Sequence, residues 1–454
     1  MLVNIIQNFD TGSRRYYAGQ NFDVDPQIAR RWIADGWATE DRGGREDGIL
    51  MPPRLQIVAT RGNLQGEGTP FGGGASNYTR VESRLSHTMA RVPVAGVRLV
   101  FCNFEITGAS GEAASANAIT VKASVELLSP NVMALPVFFG GSRTVTIQPG
   151  GYVISDPVGI EFTAGQAFFT RTSVTMNSGE TCPAGLYMSL NGESCVASTS
   201  ASSQVDATGI QSVPSGGAAQ TFAYGPAAIL GVPQSPTPAV LIIGDSITNG
   251  AGESSGYIGV PRGFVARGLV AASAGPIPYA SLARGGTRWS GWKISSAPRS
   301  LFLAEYATHA IVALGTNDLY NVGDNLATTK ADALEVIARL KARNNLPITL
   351  SKVMPRMSGS TDSYATPGGM TPISGFESGG AERDTYNAWL DAQKAQGVIS
   401  DVVDPNPYVE DQVNLGKWIT NGAANYPTTD GIHPTTALHA LAAQAVAAWA
   451  NTLA

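Results

Sequence analysis

The sequence predicts an α/β protein whose parallel sheet lies in the C-terminal part, preceded by an all-β region and a small mixed α+β piece at the N-terminus. Three observations predict it. From Ala239 onward, short apolar runs rich in β-branched residues alternate with helical patterns, the order that builds a doubly wound parallel sheet. Between about Pro52 and Ser235, apolar residues alternate with polar ones, and Gly, Pro, Asn and Ser separate the runs, as in antiparallel strands with one buried face. Near the start, Asp25-Pro26 supplies an N-cap and a proline at the first helical position, with Ile28, Ala29, Trp32 and Ile33 at helical spacing. At 454 residues the chain can form two or three separate cores.

The first piece, residues 1–48, has strand-like segments over 2–6 and 14–17, then the helix up to Gly36, with enough aromatic residues for a miniature core. It is loosely similar to small modules of bacteriophage structural or accessory proteins. Both a docking module and an ornament packed on the next region fit. Charged, Gly-bearing residues 42–47 read as a linker.

In the second piece, residues 52–235, Ile119, Val121, Ala123, Val125 and Leu127 alternate with more polar neighbours, the period of a strand with one buried face. Residues 97–101, 144–147, 159–162 and 167–174 behave similarly, with turn signals at 148–151 and 163–165 between them. Several short strands at near-regular spacing indicate a β-sandwich, jelly-roll-like or otherwise. The excursions over 61–76 and 177–220 read as loops or extra strands.

The third piece, residues 236–454, has strand patterns beginning at Ala239, Tyr279, His309, Ile348 and Val398. Helical patterns cover 261–272, 330–343, 383–396 and 436–453. A parallel sheet of about five strands follows. The helix over 330–343 has no glycine to end it, so Asn344-Asn345-Leu346-Pro347 supplies the stop. The Gly/Ser-rich stretch 357–380 falls beside the sheet's carboxyl edge, either as a mobile substrate loop or as an inert surface loop.

Chemistry concentrates where the first of these strands ends. Ala239-Val-Leu-Ile-Ile runs straight into Gly244-Asp245-Ser246, which presents Ser246 at the edge where open α/β sheets gather their sites. A serine hydroxyl needs a base to take its proton and a carboxylate to orient that base. The chain has four histidines. His433 lies in Asp430-Gly-Ile-His-Pro434, where Asp430 can bond the ring from the same loop. His309 in a strand pattern and His439 in the last helix suit structural roles, and His87 sits far upstream. Donors for an oxyanion are offered at two more strand ends, Gly315-Thr316-Asn317-Asp318 and Arg284-Gly285-Gly286-Thr287.

These pieces, Gly244-Asp245-Ser246, the Gly285/Gly286 turn, Gly315-Thr316-Asn317-Asp318 and Asp430-Gly431-Ile432-His433, resemble in order blocks I, II, III and V of the SGNH (GDSL-like) hydrolases. The resemblance covers roughly residues 236–454. It implies a flavodoxin-like three-layer esterase fold with Ser246 as nucleophile, His433 as base and Asp430 as its partner. It also implies an oxyanion hole from the Ser246 amide, a block II glycine amide and the Asn317 side chain. Two glycines occupy the block II turn. Spacing to Thr287 favours Gly285, and Gly286 stays open.

Gly252-Glu-Ser-Ser-Gly256 matches the G-x-S-x-G pattern, but no strand immediately precedes Ser254 as that elbow requires. The glycines at 250, 252 and 256 do not keep dinucleotide-fingerprint spacing. With no Cys-x-x-Cys and no His-x-x-x-His, nothing calls for a metal or a cofactor. Cys182 and Cys195 bracket a short loop. A disulfide between them and three free thiols with Cys102 are both open. Charged residues are 14% and net charge is -5, so neither nucleic acid nor an anionic membrane is an expected partner. No signal peptide and no membrane-spanning run is recognisable; the weakly charged, Gly-rich composition suits a β-rich surface or extracellular protein, and the phage-like N-terminal resemblance implies virion association.

The expected activity is hydrolysis of short-chain, foremost acetyl, esters, with an acetylated saccharide as partner. Trp289 and Trp292, after the block II turn, offer flat faces to a sugar or fill the core, and Asp245 and Gly286 are further candidate substrate contacts. The β-rich region then serves as a carbohydrate-binding module, a wall of the site, or a spacer. The alternatives are a broad short-chain esterase or thioesterase, and a non-catalytic binding protein on a hydrolase fold.

Overall fold

The computed structural model of the chain describes residues 54–64, 66, 70–72, 77–108, 111–320 and 325–453, and the backbone of five short strands before residue 54. It divides into two compact units, Met1–Met51 and Pro52–Ala454. In the first, Leu2–Ile5 pairs antiparallel with Asn21–Asp23 on one side and Ala38–Glu40 on the other. Phe9–Asp10 pairs with Arg15–Tyr16. The helix expected over 26–36 and the aromatic miniature core lie outside the described residues.

The β-rich stretch forms two large antiparallel sheets. In a five-stranded one, Val94–Cys102 pairs with Tyr152–Ile154, Val158–Phe162 and Ala228–Pro233, and the last of these continues to Gln56–Ile57. A seven-stranded one runs in the order Met133–Pro136, Ile119–Leu127, Ala167–Thr175, Arg80–Thr88, Ser194–Ser198, Ala218–Ala219, with Val145–Ile147 also on Ile119–Leu127. Ile119, Val121, Ala123, Val125 and Leu127 share one core with Val97, Leu99, Phe101 and Ile229 of the five-stranded sheet.

The expectation of a single buried face fails for Val94–Cys102. Val100 and Cys102, with Ala228 and Leu230 beside them, point the other way into a second core that also holds Leu241, Ile243, Trp289 and Trp292. The cause is legible afterwards, because Leu99-Val-Phe-Cys102 is continuously apolar.

The long excursion 177–220 covers buried charge. Glu126 accepts from Arg84 Nε (2.7 Å) and Nη2 (2.9 Å), from Arg171 Nη1 (2.9 Å) and from the Gly209 amide (2.8 Å). Arg171 also donates to the Gln204 carbonyl. The carboxylate is wholly buried, so ionic hydrogen bonds hold the excursion in addition to the apolar packing of Cys182, Ala184, Met188, Cys195 and Ala197. All three cysteines are buried free thiols.

Toward the C-terminus the sheet is parallel, in the order Asp401–Val403, Ile348–Ser351, His309–Ala313, Val240–Gly244, Tyr279–Ser281, Gly62–Asn63. The last strand comes from far upstream and brings the sheet to six. Side chains alternate between two cores. Val240 and Ile242 meet helices Phe264–Val270 and Thr436–Ala450, whereas Leu241 and Ile243 meet Leu326–Asn344 and Glu382–Ala395.

Two boundaries moved for identifiable reasons. Asn325 caps its helix through Thr328 N (2.9 Å), starting it four residues early, and Asn345 ends it at φ 44° as expected. Val398 is spent closing the preceding helix, its amide bonding Gln393 O (2.9 Å), so the strand begins at Asp401. Removing one partner of a buried ionic cluster typically costs about 3–5 kcal/mol. Glu126→Ala is therefore expected to lower unfolding free energy by about that much, read from the urea midpoint, and an unchanged midpoint would contradict the role given to the cluster.

Candidate active site

Ser246 is presented by a turn that only glycine permits at its base. A Cβ on Gly244 would fall 2.3 Å from Thr248 Oγ1. Asp245 folds the turn, its Oδ1 accepting from the amides of Ile247 (2.9 Å) and Thr248 (3.4 Å), while Asn249 N bonds Asp245 O (3.0 Å). Ser246 is left half-buried at the turn's edge. Burial pushes the Asp245 carboxyl up to about 6, against the Thr248 and Ile247 amides and the charges of His433 and Arg356.

The loop before the last helix carries the imidazole. Asp430 Oδ1 accepts from the amides of Ile432 and His433, each at 2.8 Å, which leaves Oδ2 to meet His433 Nδ1 at 2.6 Å. Because a carboxylate only accepts, Nδ1 carries the proton and Nε2 accepts from the Ser246 hydroxyl at 2.8 Å. Partial burial works to raise the Asp430 carboxyl, but the bonds from the His433 ring and amide and from the Ile432 amide outweigh it and hold the group well below the carboxylate range. The loop is braced at Gly431, in the left-handed region at φ 84°, whose carbonyl accepts from Met357 N (2.9 Å) and Trp418 Nε1 (3.1 Å). Gly252 braces the other side, since a Cβ there would lie 2.5 Å from Pro434 O and 2.8 Å from His433 Cβ.

Strand pairing continues past Ser281 through Leu282 N to Ile242 O (2.8 Å) and Arg284 N to Gly244 O (3.1 Å), so Gly285 and Gly286 turn directly beside the Ser246 turn. Gly285 is half-buried, and Gly286 is exposed at φ 76°. On the far side, the short helix Thr316–Tyr320 carries Asn317, whose Nδ2 donates to Thr287 O (3.2 Å), and Asp318, which accepts from Trp289 N (2.9 Å). One N–H of the Asn317 amide is thus committed and the other is not needed there.

Some expected residues went elsewhere. Trp289 and Trp292 present no face to a ligand: they are 1% and 0% exposed, packed in the core, with Trp289 Nε1 donating to Tyr386 OH (2.8 Å). Asp245 is a buried turn former rather than a substrate contact. Ser254 bonds Thr436 and no histidine, its amide lying 2.9 Å from the threonine hydroxyl. His87 is buried between Thr60 O and Thr170 Oγ1, with burial pushing its ring down to about 3. His439 donates to Ala251 O (3.0 Å), and His309 Nδ1 meets Thr308 Oγ1 at the strand's opposite end. Stretch 357–380 is a hairpin, Met357–Ser360 with Met370–Pro372, one end of which supports Gly431.

Sequence reasoning missed Arg356 and Tyr320. Arg356 is buried, donates to Thr316 O (3.1 Å) and places its guanidinium carbon over the Tyr320 ring, 3.8 Å from its centroid. Tyr320 is 49% exposed and one helical turn beyond Asn317. Its place after Asp318 was the available signal. Among the described residues, no His, Cys, Asp or Glu side chains group to hold a metal ion, and no helix is long and apolar enough to cross a membrane.

Residues 242–441 match the model of the GDSL-like lipase/acylhydrolase family. This part of the chain is a GDSL-like hydrolase domain, and the class it defines is that of carboxylic ester hydrolases. No curated protein matches the chain. Solved structures similar in shape include a family two carbohydrate esterase from Clostridium thermocellum in complex with cellohexaose (12% identity, 88% of this chain and 98% of that one, TM-score 0.34). A GDSL-like lipase from Bacteroides thetaiotaomicron is another (19% identity, 46% and 90%, TM-score 0.28). A third is a peptidoglycan O-acetylesterase (10% identity, 89% and 79%, TM-score 0.34).

Gly252→Ala is expected to push the His433 loop outward and lower kcat about 100-fold, the scale of a misplacement of about 1 Å. Unaltered ester turnover in the variant would contradict the bracing. Asp245 has its own pH signature. With the carboxyl raised from 3.8 to about 6 on folding, the folded state holds its proton more tightly, so stability is full below the lower value and is lost as pH rises through the upper one. Asp245→Asn keeps the turn's acceptor oxygen and should abolish that decline. Parallel stability profiles for the two proteins between those pH values would refute it.

Proposed function

We propose that the protein is a serine esterase removing short acyl groups, acetyl foremost, from a carbohydrate or polysaccharide through an acyl-enzyme. The reading is carried by one observation, the unbroken hydrogen-bonded line from Asp430 through His433 to Ser246. Ser246 Oγ attacks the ester carbon as its proton passes to Nε2. The oxyanion takes hydrogen bonds from the Ser246 amide, the amide of Gly285 or Gly286, and the remaining Asn317 N–H. Collapse expels the alcohol, which receives the proton from Nε2. Water then enters by the same path in reverse and releases the carboxylic acid.

The short acyl group is supported by where the apolar side chains go. Ile247, Leu314, Leu319, Met354 and Met357, apolar residues on the loops that carry the proposed site, are all buried. A saccharide as the alcohol is supported by Tyr320, whose exposed ring is backed by the Arg356 guanidinium one helical turn from Asn317; it takes the part that Trp289 and Trp292 do not. On this reading the chain is organised as a small module (1–48), a jelly-roll-like sandwich (52–235) and the hydrolase (236–454).

The test is acetate release from acetylated glycans alongside p-nitrophenyl esters of increasing chain length. Ser246→Ala should remove turnover about 10⁶-fold, and Asn317→Ala should slow it about 100-fold or more, the worth of one oxyanion donor. Wild type that cleaves no ester, or activity that survives Ser246→Ala, would sink the reading. Tyr320→Ala should raise KM for acetylated oligosaccharides more than for p-nitrophenyl acetate. Equal effects on both would remove the tyrosine from sugar binding.

A further inference from the structure

The segment 285–300, which begins at the oxyanion glycines, is gripped from outside the hydrolase part of the chain. In the β-rich stretch, Phe104–Ile106 and Glu112–Ala114 form a small hairpin. It is anchored at its turn end, where Glu112 pairs with Ile106, by the Glu112 side chain, which is wholly buried. Glu112 Oε1 accepts from Arg299 N (2.8 Å), Oε2 accepts from Ser300 N and Oγ (both 2.7 Å), and the Glu112 amide donates to Ser296 O (2.9 Å). Toward the tip, Thr107 N bonds Gly111 O (2.6 Å). Gly108, at φ 70°, lies so close to the block II turn that a Cβ there would fall 2.9 Å from Gly285 O. From the five-stranded sheet, Tyr152 stacks on Phe302 with centroids 4.1 Å apart.

We infer that this hairpin sets the position of the oxyanion glycines, with Glu112 as a positioning residue, so that the β-rich region is part of the catalytic apparatus rather than a spacer or a detachable binding module. The inference rests on the esterase reading above. The physical argument is that a turn containing two glycines has little conformational preference of its own. Its donor must nevertheless be held to within a fraction of an ångström of the developing charge. Arg284 N on Gly244 O fixes where the turn starts and Asn317 on Thr287 O fixes its far side. The turn closes on itself through Thr287 N to Arg284 O (3.2 Å), and the carbonyl of Gly285 faces the hairpin at Gly108. A buried carboxylate taking four hydrogen bonds at one end of the segment, the fourth from Arg299 Nη1 (3.2 Å), and a glycine packed on the carbonyl at the other hold it in place.

The test uses the full chain with rates referred to active sites counted from the p-nitrophenol burst. Glu112→Ala is expected to lower kcat for p-nitrophenyl acetate ten-fold or more with KM within two-fold. Affinity for a phenylboronic acid, whose tetrahedral adduct on Ser246 places an oxygen among the donors, should fall by a similar factor. Glu112→Gln keeps one acceptor for Ser300 and should recover part of both losses. Should Glu112→Ala fail to fold, Gly108→Ala, which acts at the tip alone, is expected to show the same split. Folded variants with unchanged kcat and boronate affinity beside an active wild type overturn the hairpin's role and leave the esterase reading standing. A wild type without ester hydrolysis overturns both.

Discussion

The hydrogen bond between Ser246 and His433 joins positions 187 residues apart, and the arrangement of the α/β part follows from having to make it. Ser246 is delivered by the exit of a central strand that cannot move without disturbing both neighbours. His433 rides on the loop closed by the isolated Thr428–Pro434 bridge, directly before the helix Thr436–Ala450, which packs against Phe264–Val270. A flexible loop at either end would spend the interaction on ordering itself. Asp430 therefore spends one oxygen on two amides of its own loop and only the other on the imidazole.

Glycines do much of this work, for a steric reason rather than a flexible one. Gly244, Gly252 and Gly431 each stand where a methyl group would meet backbone or a catalytic-loop side chain at under 3 Å. The turn polypeptides approach one another more closely than any other residue would allow, which is how three loops converge on one hydroxyl. Two polar groups, Asp245 and Arg356, are buried and bonded to backbone, Asp245 within the Ser246 turn and Arg356 at Thr316 of the neighbouring strand exit. They stiffen the floor without facing solvent.

The five-stranded antiparallel sheet ties the β-rich stretch to this assembly. Its alternate residues enter two different cores, so removing the sheet would expose one face of the core holding Leu241, Ile243 and the two tryptophans. Gly62–Asn63 extends the parallel sheet from the same upstream stretch. Residues 52–454 share their apolar interior, and a change of pattern along the chain at about 235 does not coincide with a gap in packing.

Local features of the sequence by themselves determined which residues make up the proposed site. An unbroken apolar run ending in Gly244-Asp245-Ser246, the short Asp430-to-His433 spacing and Asn317 at another strand end are all marks that neighbours within a few positions can write. Helix stops such as Asn345 were legible for the same reason. Tertiary structure alone decided the rest, because those choices are made by partners remote in sequence. An indole that fills a core and one that greets a sugar look alike in a string of letters, so Trp289 and Trp292 were settled only by burial against Tyr386 and the sheet. Two residues such as Gly62 and Asn63 have no period to detect, and a strand buried on both faces is named only by what covers its second face. The nearness of Glu112 to Ser300, 188 positions away, is likewise a property of packing.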